Sequence, residues 1–246
     1  MSKLANKVAL VTGGSRGIGA AIAKRLAADG ASVAITYAKD ASAASVVVKA
    51  IELGGGKAIA IQADAADVKA VKAAVEKVVA TFGRLDVLVN NAGTVIPKPF
   101  EETTLEEMDR MLDINVRGVF ATTHAALKHI KEGGRIINIG SAVGERAAAP
   151  GMVPYSATKG AVRMFTQSLS REVGSRGITV NNIQPGPIDT DLNPASGDWS
   201  IPQKAATALN RYGHVDEVAA LVAFVAGPES SYITGTNLTV DGGMNA

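Results

Sequence analysis

Tyr155 and Lys159 are the two residues whose types and spacing most clearly suggest acid–base chemistry. A spacing of four residues places both side chains on one face of a helix, close enough to interact. A free tyrosine has a pKa of about 10, and a neighbouring ammonium group favours the phenolate, so we expect Lys159 to lower the pKa of Tyr155. Such a tyrosine can give a proton to a carbonyl oxygen and take it back in the reverse reaction. As an acid–base pair the two residues indicate chemistry on a carbonyl or an alcohol, although for the pair taken alone a coincidence of two surface residues is the alternative.

The segment VTGGSRGIG, residues 11–19, could hold a phosphate group. It joins a continuous apolar run to a stretch with helical periodicity, and a helix N-terminus offers free N–H groups and the positive end of a dipole. Its glycines Gly13, Gly17 and Gly19 would let the backbone approach a ligand, although they do not follow the usual G-x-G-x-x-G spacing. For this loop taken alone, a tight turn that binds nothing is an alternative.

The elements that must position these residues alternate between short apolar runs and stretches with helical periodicity. The predicted strands lie at 7–12, 32–37, 57–63, within 85–93, and at 134–141, 178–186 and 237–243. The predicted helices lie at 18–30 and at about 41–53, 67–82, 104–131, 155–175 and 215–226. This alternation predicts an α/β fold of one domain, residues 1–246, with a Rossmann-type doubly wound parallel sheet and helices on both faces.

Unusual polar residues follow the predicted strands. They are Ser15, Arg16, Asp64, Asn90, Asn91 and Ser141. Ligands of a doubly wound sheet bind outside the carboxyl ends of its strands. We therefore expect the site at that edge of the sheet.

The overall composition excludes several classes of function. The 25 basic and 23 acidic residues form no block of like charge, so we expect no nucleic-acid partner. The longest apolar stretches, such as 218–227, are too short to span a bilayer, and the N-terminus lacks the layout of a signal peptide. The absence of cysteine excludes disulfides and thiolate metal sites, and the three histidines show no metal-ligand spacing. We expect a cytoplasmic protein without a metal site or membrane contact.

Four short motifs stand in order at the ends of successive elements: TGGSRGIG (12–19), NNAG (90–93), YSATK (155–159) and PG (185–186). With them the chain resembles the short-chain dehydrogenase/reductase family over essentially its full length, and most closely the 3-oxoacyl-[acyl-carrier-protein] reductase-like branch. The T-G-x-x-x-G-x-G loop of that family accounts for the glycine spacing. The resemblance implies a small-molecule carbonyl or alcohol substrate and a homotetramer.

The resemblance also implies the catalytic residues, which are Asn115, Ser141, Tyr155 and Lys159. Ser141 would polarise the substrate carbonyl, and Asn115 would hold a water that links the lysine to solvent. Related enoyl reductases have six residues between the tyrosine and the lysine, whereas this chain has three. The shorter gap favours reduction of C=O over reduction of C=C.

Residues near the end of the second strand favour NADP(H) as the cofactor. By the register of the family, Tyr37 stands where NAD-preferring enzymes have an acidic residue. Arg16 and Lys39 can instead contact a 2′-phosphate, and one such charge-assisted bond contributes about 1.5–3 kcal/mol. For both residues the alternative is a solvated surface charge without a ligand. For Lys39 this alternative has the same weight as a contact with the phosphate. A shift of register would bring Asp40 near the ribose instead.

The resemblance assigns further contacts with the cofactor. Asp64 would accept from the adenine amino group, with helix capping as its alternative. The turn 91–93 would lie beside the adenine ribose, or would only brace the sheet. The complete set of predicted cofactor-binding residues is Gly13, Ser15, Arg16, Gly17, Ile18, Gly19, Tyr37, Lys39, Asp64, Asn91, Ala92, Gly93, Tyr155, Lys159, Pro185, Gly186, Ile188 and Thr190.

The Pro- and Gly-containing segment at about 187–213 is predicted to be a mobile lid over the substrate. Trp199 in this segment either lines the pocket or only packs. The chain is therefore predicted to be an NADP(H)-dependent ketoreductase. The alternatives are a 3-oxoacyl-carrier-protein reductase of fatty-acid synthesis, a sugar or polyol dehydrogenase and, as a minor one, a non-catalytic NADP-binding sensor.

Docking of an acidic carrier protein needs basic residues around the mouth of the site. Arg176 matches a basic position of the carrier-protein branch, whereas Glu132 stands where that branch typically has arginine. This difference favours a free ketone as the substrate.

Overall fold

A computed structural model describes residues 2–147 and 149–246 of the chain. Within these ranges, seven strands form one sheet in the order β3-β2-β1-β4-β5-β6-β7, and every pair of neighbours is parallel. The strands are β1 Val8–Val11, β2 Ser32–Tyr37, β3 Lys57–Gln62, β4 Val87–Asn90, β5 Arg135–Ile139, β6 Thr179–Pro185 and β7 Asn237–Val240. The strand order reverses between β1 and β4, so this is the point where a doubly wound sheet opens a crevice for a ligand.

Helices cover both faces of the sheet. They are α1 Gly17–Ala28, α2 Ala41–Leu53, α3 Val68–Phe82, α4 Leu105–Leu112, α5 Gly118–Ala126, α6 Val153–Val173, α7 Ser200–Ala205 and α8 Val215–Ala226. One core cluster joins the sheet to α1, α2 and α8, and a second joins it to α3, α5 and α6. The fold predicted from the sequence is confirmed. Among the helices of the described residues, none combines the length and the apolar character that crossing a bilayer requires.

The central strand β1 shows why its sequence is apolar at every position. Leu10 packs into the cluster with α3, α5 and α6, whereas Ala9 and Val11 pack into the cluster with α1, α2 and α8. All three are fully buried, because both faces of a doubly wound parallel sheet are covered by helices. Full burial of a Val or Leu side chain contributes about 1.5–3 kcal/mol.

The prediction of a single long helix at 104–131 is wrong, because the structure divides this range into the two helices α4 and α5. Thr104 and Glu107 form a capping box at the start of α4, and a π-helical turn over Asp113–Arg117 separates α4 from α5. Gly118 then begins α5 in close contact with the carbonyl oxygen of Ala65, where a side chain would clash. The apolar periodicity continues through the π turn, so the sequence pattern did not show it.

The segment predicted to be a lid leaves the sheet and returns to its starting point. The N–H of Gly213 donates to the oxygen of Pro187 (2.9 Å), and the N–H of Asp189 donates to the oxygen of Gly213 (3.0 Å). Between these ends lies α7, which was not predicted. Pro202 does not prevent this helix, because it occupies the first turn of α7, where proline is tolerated.

Candidate active site

A cleft of about 660 Å³ opens at the carboxyl ends of the strands, where the strand order reverses. Every residue predicted to bind the cofactor lines it, and Ser141 lines it too. Asn115 does not, because its side chain is buried below the surface of the cleft. A separate depression of about 800 Å³ near the end of α6 is lined by residues such as Gln167 and Arg171. It contains none of the predicted acid–base residues.

The loop before α1 has the backbone geometry of a phosphate cradle. Gly13 and Gly17 have positive φ angles of 63° and 53°, and a side chain on Gly19 would clash with the carbonyl oxygen of Gly13. No side-chain hydrogen bond from the N-cap residue Arg16 satisfies the first turn of α1. The N–H groups at this helix start therefore remain for an anion, and the loop fits the phosphates of a dinucleotide.

The charges near the end of β2 suit an additional phosphate. Arg16 and Lys39 both line the cleft, and neither takes part in an ion pair within the described residues. The carboxylate of Asp40 caps α2 by accepting from the N–H of Ala43 (2.9 Å) and from the hydroxyl of Ser42 (2.7 Å). These bonds lower the pKa of Asp40. Its carboxylate is thus engaged in capping, and two cations remain at this end of the cleft.

Asp64 is held by two donors at the far end of the cleft. One carboxylate oxygen accepts from the N–H of Ala66 (3.0 Å), and the other accepts from Nη2 of Arg110 (2.9 Å). Burial raises the pKa of Asp64, but the bonds from Ala66 and Arg110 outweigh that effect and lower it overall. Sequence reasoning missed Arg110, because nothing in its own surroundings on α4 links it to Asp64 on a distant segment.

Asn91 fastens the phosphate loop to the end of β4. Its side-chain amide donates to the carbonyl oxygens of Thr12 (2.9 Å) and Gly13 (3.0 Å). The hydroxyl of Thr12 accepts in turn from the N–H groups of Asn91 and Ala92, both at 3.0 Å. The turn after β4 therefore braces the sheet and lines the cleft at the same time.

Lys159 and Tyr155 meet at the floor of the cleft. Lys159 is only 6% exposed, its Nζ donates to the carbonyl oxygen of Ile139 (2.8 Å), and this atom lies 5.7 Å from the centre of the Tyr155 ring. Burial lowers the pKa of Lys159 to about 8. Burial raises the pKa of Tyr155, and a hydrogen bond with Ser141 counteracts part of that rise.

In the chain by itself, Lys159 therefore does not lower the pKa of Tyr155, and a lowering with the help of the positive charge of an oxidised nicotinamide stays a prediction. The ammonium is bonded to a backbone carbonyl instead of the phenol, and the burial of Lys159 and the partial burial of Tyr155 disfavour the charged form of each. Tyr155 consequently keeps its proton at neutral pH.

Asn115 and Thr158 connect the π turn with the helix that carries Tyr155 and Lys159. Oδ1 of Asn115 accepts from the N–H of Thr94 (2.8 Å), and its Nδ2 donates to the oxygen of Thr94 (2.9 Å) and to Oγ1 of Thr158 (3.1 Å). The hydroxyl of Thr158 donates to the carbonyl oxygen of Tyr155 (2.7 Å). Sequence reasoning missed Thr158, although its position directly before Lys159 in the helix could have indicated it.

The C-terminus supports the loop that begins at Ser141, which sequence reasoning also missed. Nδ2 of Asn245 donates to the carbonyl oxygen of Ala142 (2.8 Å), and the adjacent Met244 lines the cleft. Nε2 of Gln184 on β6 donates to the carbonyl oxygen of Ser141 (3.3 Å). The backbone that follows the Ser141 side chain is thus held at two successive carbonyl groups.

The two residues considered for docking a carrier protein lie far from the mouth of the cleft within one chain. Arg176 lies in the turn that leads into β6, and its guanidinium donates to the carbonyl oxygens of Leu127 (2.9 Å) and Ile130 (3.2 Å). Glu132 precedes β5. Both residues therefore lie at the edge where the strands begin, whereas the cleft is at the edge where they end.

Comparison with known proteins finds relatives that match this chain over nearly its full length. A family model described as enoyl-(acyl carrier protein) reductase matches residues 13–245. A short-chain dehydrogenase from Burkholderia cenocepacia, solved in complex with NADP, is 55% identical and superposes with a TM-score of 0.98, covering 99% of this chain and 100% of that one. A 3-oxoacyl-[acyl-carrier-protein] reductase from Synechocystis is 43% identical over 99% of both chains. The cyclic-di-GMP-binding biofilm dispersal mediator protein of Escherichia coli is 42% identical over the full length of both.

Proposed function

Since the chain belongs to the short-chain dehydrogenase/reductase family, we propose that it is an NADP(H)-dependent oxidoreductase that reduces a ketone to a secondary alcohol and can run the reverse reaction. The observation that carries this proposal is that Ser141, Tyr155 and Lys159 line the same cleft as the phosphate cradle. A proton donor and a dinucleotide site within one cleft are what carbonyl reduction requires.

Two observations support NADP(H) as the cofactor. Arg16 and Lys39 supply positive charge at the end of β2, and Asp40 is engaged in capping α2. The relative from Burkholderia cenocepacia was solved with NADP. In this proposal the start of α1 holds the phosphates, Asp64 accepts from the adenine amino group, and the segment 185–190 contacts the nicotinamide.

The proposed chemistry follows from the state of the side chains on the cleft floor. A bound nicotinamide cofactor would supply the hydride to the carbonyl carbon. Tyr155 donates its phenolic proton to the carbonyl oxygen, and its raised pKa keeps that proton in place at neutral pH. Ser141 donates a hydrogen bond to the same oxygen and polarises the carbonyl. The ammonium of Lys159 favours the phenolate that remains after the transfer.

Reduction of C=O is favoured over reduction of C=C, although the matching family model is described by an enoyl reductase. Tyr155 and Lys159 are four residues apart on α6, and both reach the cleft. This is the short gap that separates carbonyl reductases of the family from its enoyl reductases. Asn115 completes the proposed catalytic set: the resemblance assigns it a water beside the lysine, and its side-chain amide is bonded to Thr94 and Thr158.

A free ketone is favoured over an acyl group on a carrier protein. Supporting this, Arg176 is bonded to backbone carbonyls at the edge of the sheet opposite the cleft. The test is kcat/KM for one acetoacetyl group on a carrier protein and on a small thiol, at low and moderate salt. We expect no advantage for the carrier-linked form. A large, salt-sensitive advantage would instead support the carrier-protein reductase alternative.

The two remaining alternatives have less support. A non-catalytic sensor would not need the proton-transfer residues, and this chain has all of them. The name of the cyclic-di-GMP-binding relative is the one observation that favours a sensor. A sugar or polyol dehydrogenase would run the same chemistry mainly as an oxidation. Screening ketones against sugar alcohols distinguishes it from a ketoreductase.

We also propose that the chain is one domain, that residues 187–213 act as its substrate lid, and that it forms a homotetramer. The proposed contacts are made by α4, α5 and α6 and by the last strand, β7. Phe120 and Met164 are exposed on these helices, as an interface would require, whereas Val119 is buried and Phe165 packs against the chain's own core. A cytoplasmic location stays a prediction.

The experiment that tests the proposed function is Tyr155→Phe. The variant lacks only the proton donor, so kcat for ketone reduction should fall by about a hundredfold or more. Binding of NADPH, followed by its fluorescence, should remain almost unchanged. Substantial residual turnover would remove Tyr155 from the acid–base role.

A further inference from the structure

The cleft continues beyond the catalytic residues into a pocket whose walls are apolar, which we call the outer pocket. Its lining includes Val95, Pro97, Met152, Leu192, Trp199 and Met244. The loops that carry these residues adjoin Ser141 and Tyr155: the N–H of Lys98 donates to the oxygen of Gly151 (3.1 Å), and Asn245 is bonded to Ala142. The outer pocket is therefore the part of the cleft that would receive the substituents of a substrate carbonyl.

Positive charge is lacking in the outer pocket. The charged lining residues Arg16, Lys39, Asp40, Asp64 and Arg110 belong to the cofactor end, and the lid contributes only Asp191. The remaining cation, Lys159, lies on the catalytic floor, where its Nζ is bonded to the carbonyl oxygen of Ile139. The two lysines nearest in sequence are engaged elsewhere. Nζ of Lys98 lies 2.6 Å from a carboxylate oxygen of Glu107, and that of Lys204 stands over the ring of Tyr212. A carboxylate or phosphate on the substrate would find no counter-ion here, and Asp191 would repel it.

The amide side chains of Asn193 and Gln203 in the outer pocket are already hydrogen-bonded to each other. Nδ2 of Asn193 donates to Oε1 of Gln203 (3.0 Å), and Nε2 of Gln203 donates to Oδ1 of Asn193 (3.1 Å). The hydroxyl of Tyr212 also donates to Oδ1 of Asn193 (3.3 Å). A substrate rich in hydroxyl groups would have to break this pair, so sugars and polyols fit the pocket poorly.

Large apolar side chains are left uncovered in the same place. Trp199 is 57% exposed, and Leu192 is exposed to a similar extent, although both line the cleft. Covering such groups is favourable in proportion to the apolar area removed from water. An aromatic ring gains further stabilisation when it packs against another aromatic ring.

We propose that the substrate is an uncharged ketone with a bulky apolar substituent, an aryl group above all, which packs against Trp199 and Leu192 in the outer pocket. This inference rests on the proposed ketone reduction. It adds that keto acids, phosphorylated ketones and sugars are poor substrates.

The test compares three ketones with NADPH: acetophenone, 4-acetylbenzoate, which adds a carboxylate to the same ring, and 2-butanone, which lacks the ring. We expect kcat/KM for acetophenone to exceed that for each of the others by about tenfold or more. Similar values for acetophenone and 4-acetylbenzoate would overturn the proposal. A wild-type protein that reduces none of the ketones would overturn the proposed function as well, so the two failures are distinct.

Substitutions test whether Trp199 causes the preference for acetophenone. Trp199→Ala should raise KM for acetophenone about tenfold, should leave 2-butanone nearly unchanged, and should be rescued by Trp199→Phe. The matched control is Ile201→Ala, because Ile201 is 63% exposed on α7 but does not line the cleft. Equal losses in Trp199→Ala and Ile201→Ala would contradict the proposal.

A binding measurement gives a readout independent of turnover. Trp199 is the only tryptophan of the chain, so intrinsic tryptophan fluorescence reports on this position. Titrating 1-phenylethanol, the alcohol formed from acetophenone, into the Tyr155→Phe protein with NADP+, a complex that lacks the proton acceptor and does not turn over, should change this fluorescence with saturation, whereas 2-butanol should not. The absence of any change with 1-phenylethanol would overturn the contact with Trp199.

Discussion

Lys159 is a buried cation whose only hydrogen bond in the described residues is to a backbone carbonyl oxygen. Its pKa falls from 10.5 to about 8, so the folded chain loses this proton at a lower pH than the unfolded chain does. Below about pH 8 the charged form is destabilising, by about 3 kcal/mol at one pKa unit per 1.4 kcal/mol. Between pH 8 and 10.5 the unfolded state binds more protons, so the free energy of unfolding rises with pH and this destabilisation is lost.

Lys159→Met should therefore raise the melting temperature of the chain at pH 7, and its advantage should shrink as the pH approaches 10.5. Thermal unfolding of the protein without cofactor, followed by circular dichroism at several pH values, measures the difference. Lys24→Met, at an exposed position of α1, is the control and should show no such trend. A Lys159→Met variant less stable than wild type at pH 7 would show that the buried charge is compensated.

Arg16 should determine much of the cofactor preference. We expect kcat/KM for NADPH to exceed that for NADH by at least about tenfold, since one charge-assisted bond to the 2′-phosphate contributes that much. Arg16→Ala should lower this ratio of kcat/KM values without lowering kcat/KM for NADH. The corresponding ratio for Lys39→Ala measures how much the second cation contributes to the preference. Equal use of both cofactors by the wild type would contradict the assignment.

The junction of α4, the π turn and α5 is the element that supports the acid–base pair. π turns inside helices are rare and occur frequently at functional sites. Here the turn carries Asn115, and Thr158 connects Asn115 to the backbone of Tyr155. The hydroxyl of Thr158 both accepts and donates, so it sets the position of α6 relative to the turn.

Thr158→Val should remove both bonds and leave the buried amide of Asn115 with one donor unsatisfied, which costs about 1–3 kcal/mol of stability. We expect kcat to fall by about tenfold through misplacement of Tyr155, with the Kd for NADPH nearly unchanged. Thr158→Ser keeps the hydroxyl and should restore kcat. If Ser and Val lower kcat equally, the hydroxyl does not position Tyr155.

How far the sequence predicts these elements depends on how local their causes are. The α/β order follows from apolar periodicity, and the motif residues Ser141, Tyr155 and Lys159 reach one cleft because each follows or faces the end of a strand. The π turn was not predicted, since the apolar periodicity continues through it and the bonds of its Asn115 go to residues distant in the sequence. The same holds for the pair of Arg110 with Asp64.

The whole molecule presents an apolar helical face that one chain leaves exposed. Met164 on α6 is 59% exposed, and Phe120 on α5 packs against Phe165 with ring centres 4.4 Å apart while remaining partly in solvent. Exposed apolar surface on neighbouring helices is typical of protein–protein contacts. This face is the one that we propose for assembly.

Met164→Glu should reduce the proposed tetramer to smaller species, because it places a charge in the interface core. Light scattering coupled to size-exclusion chromatography measures the mass. Leu53→Glu is the matched control, since Leu53 is 89% exposed at the end of α2 and outside this face. A wild-type monomer, or equal effects of the two variants, would contradict the proposed assembly.

The paired ends of segment 187–213 have a consequence for how such chains diversify. Because Pro187 and Gly213 are hydrogen-bonded neighbours, the segment resembles a cassette inserted at one point of the scaffold. A loop of different length costs little extra closure entropy, about 0.6 kcal/mol for each doubling. Substituting a foreign segment for residues 191–212, which keeps Ile188 and Thr190 of the proposed nicotinamide contact, should therefore transplant selectivity while the sheet and the acid–base pair stay intact, which makes this chain a scaffold for grafting new specificities.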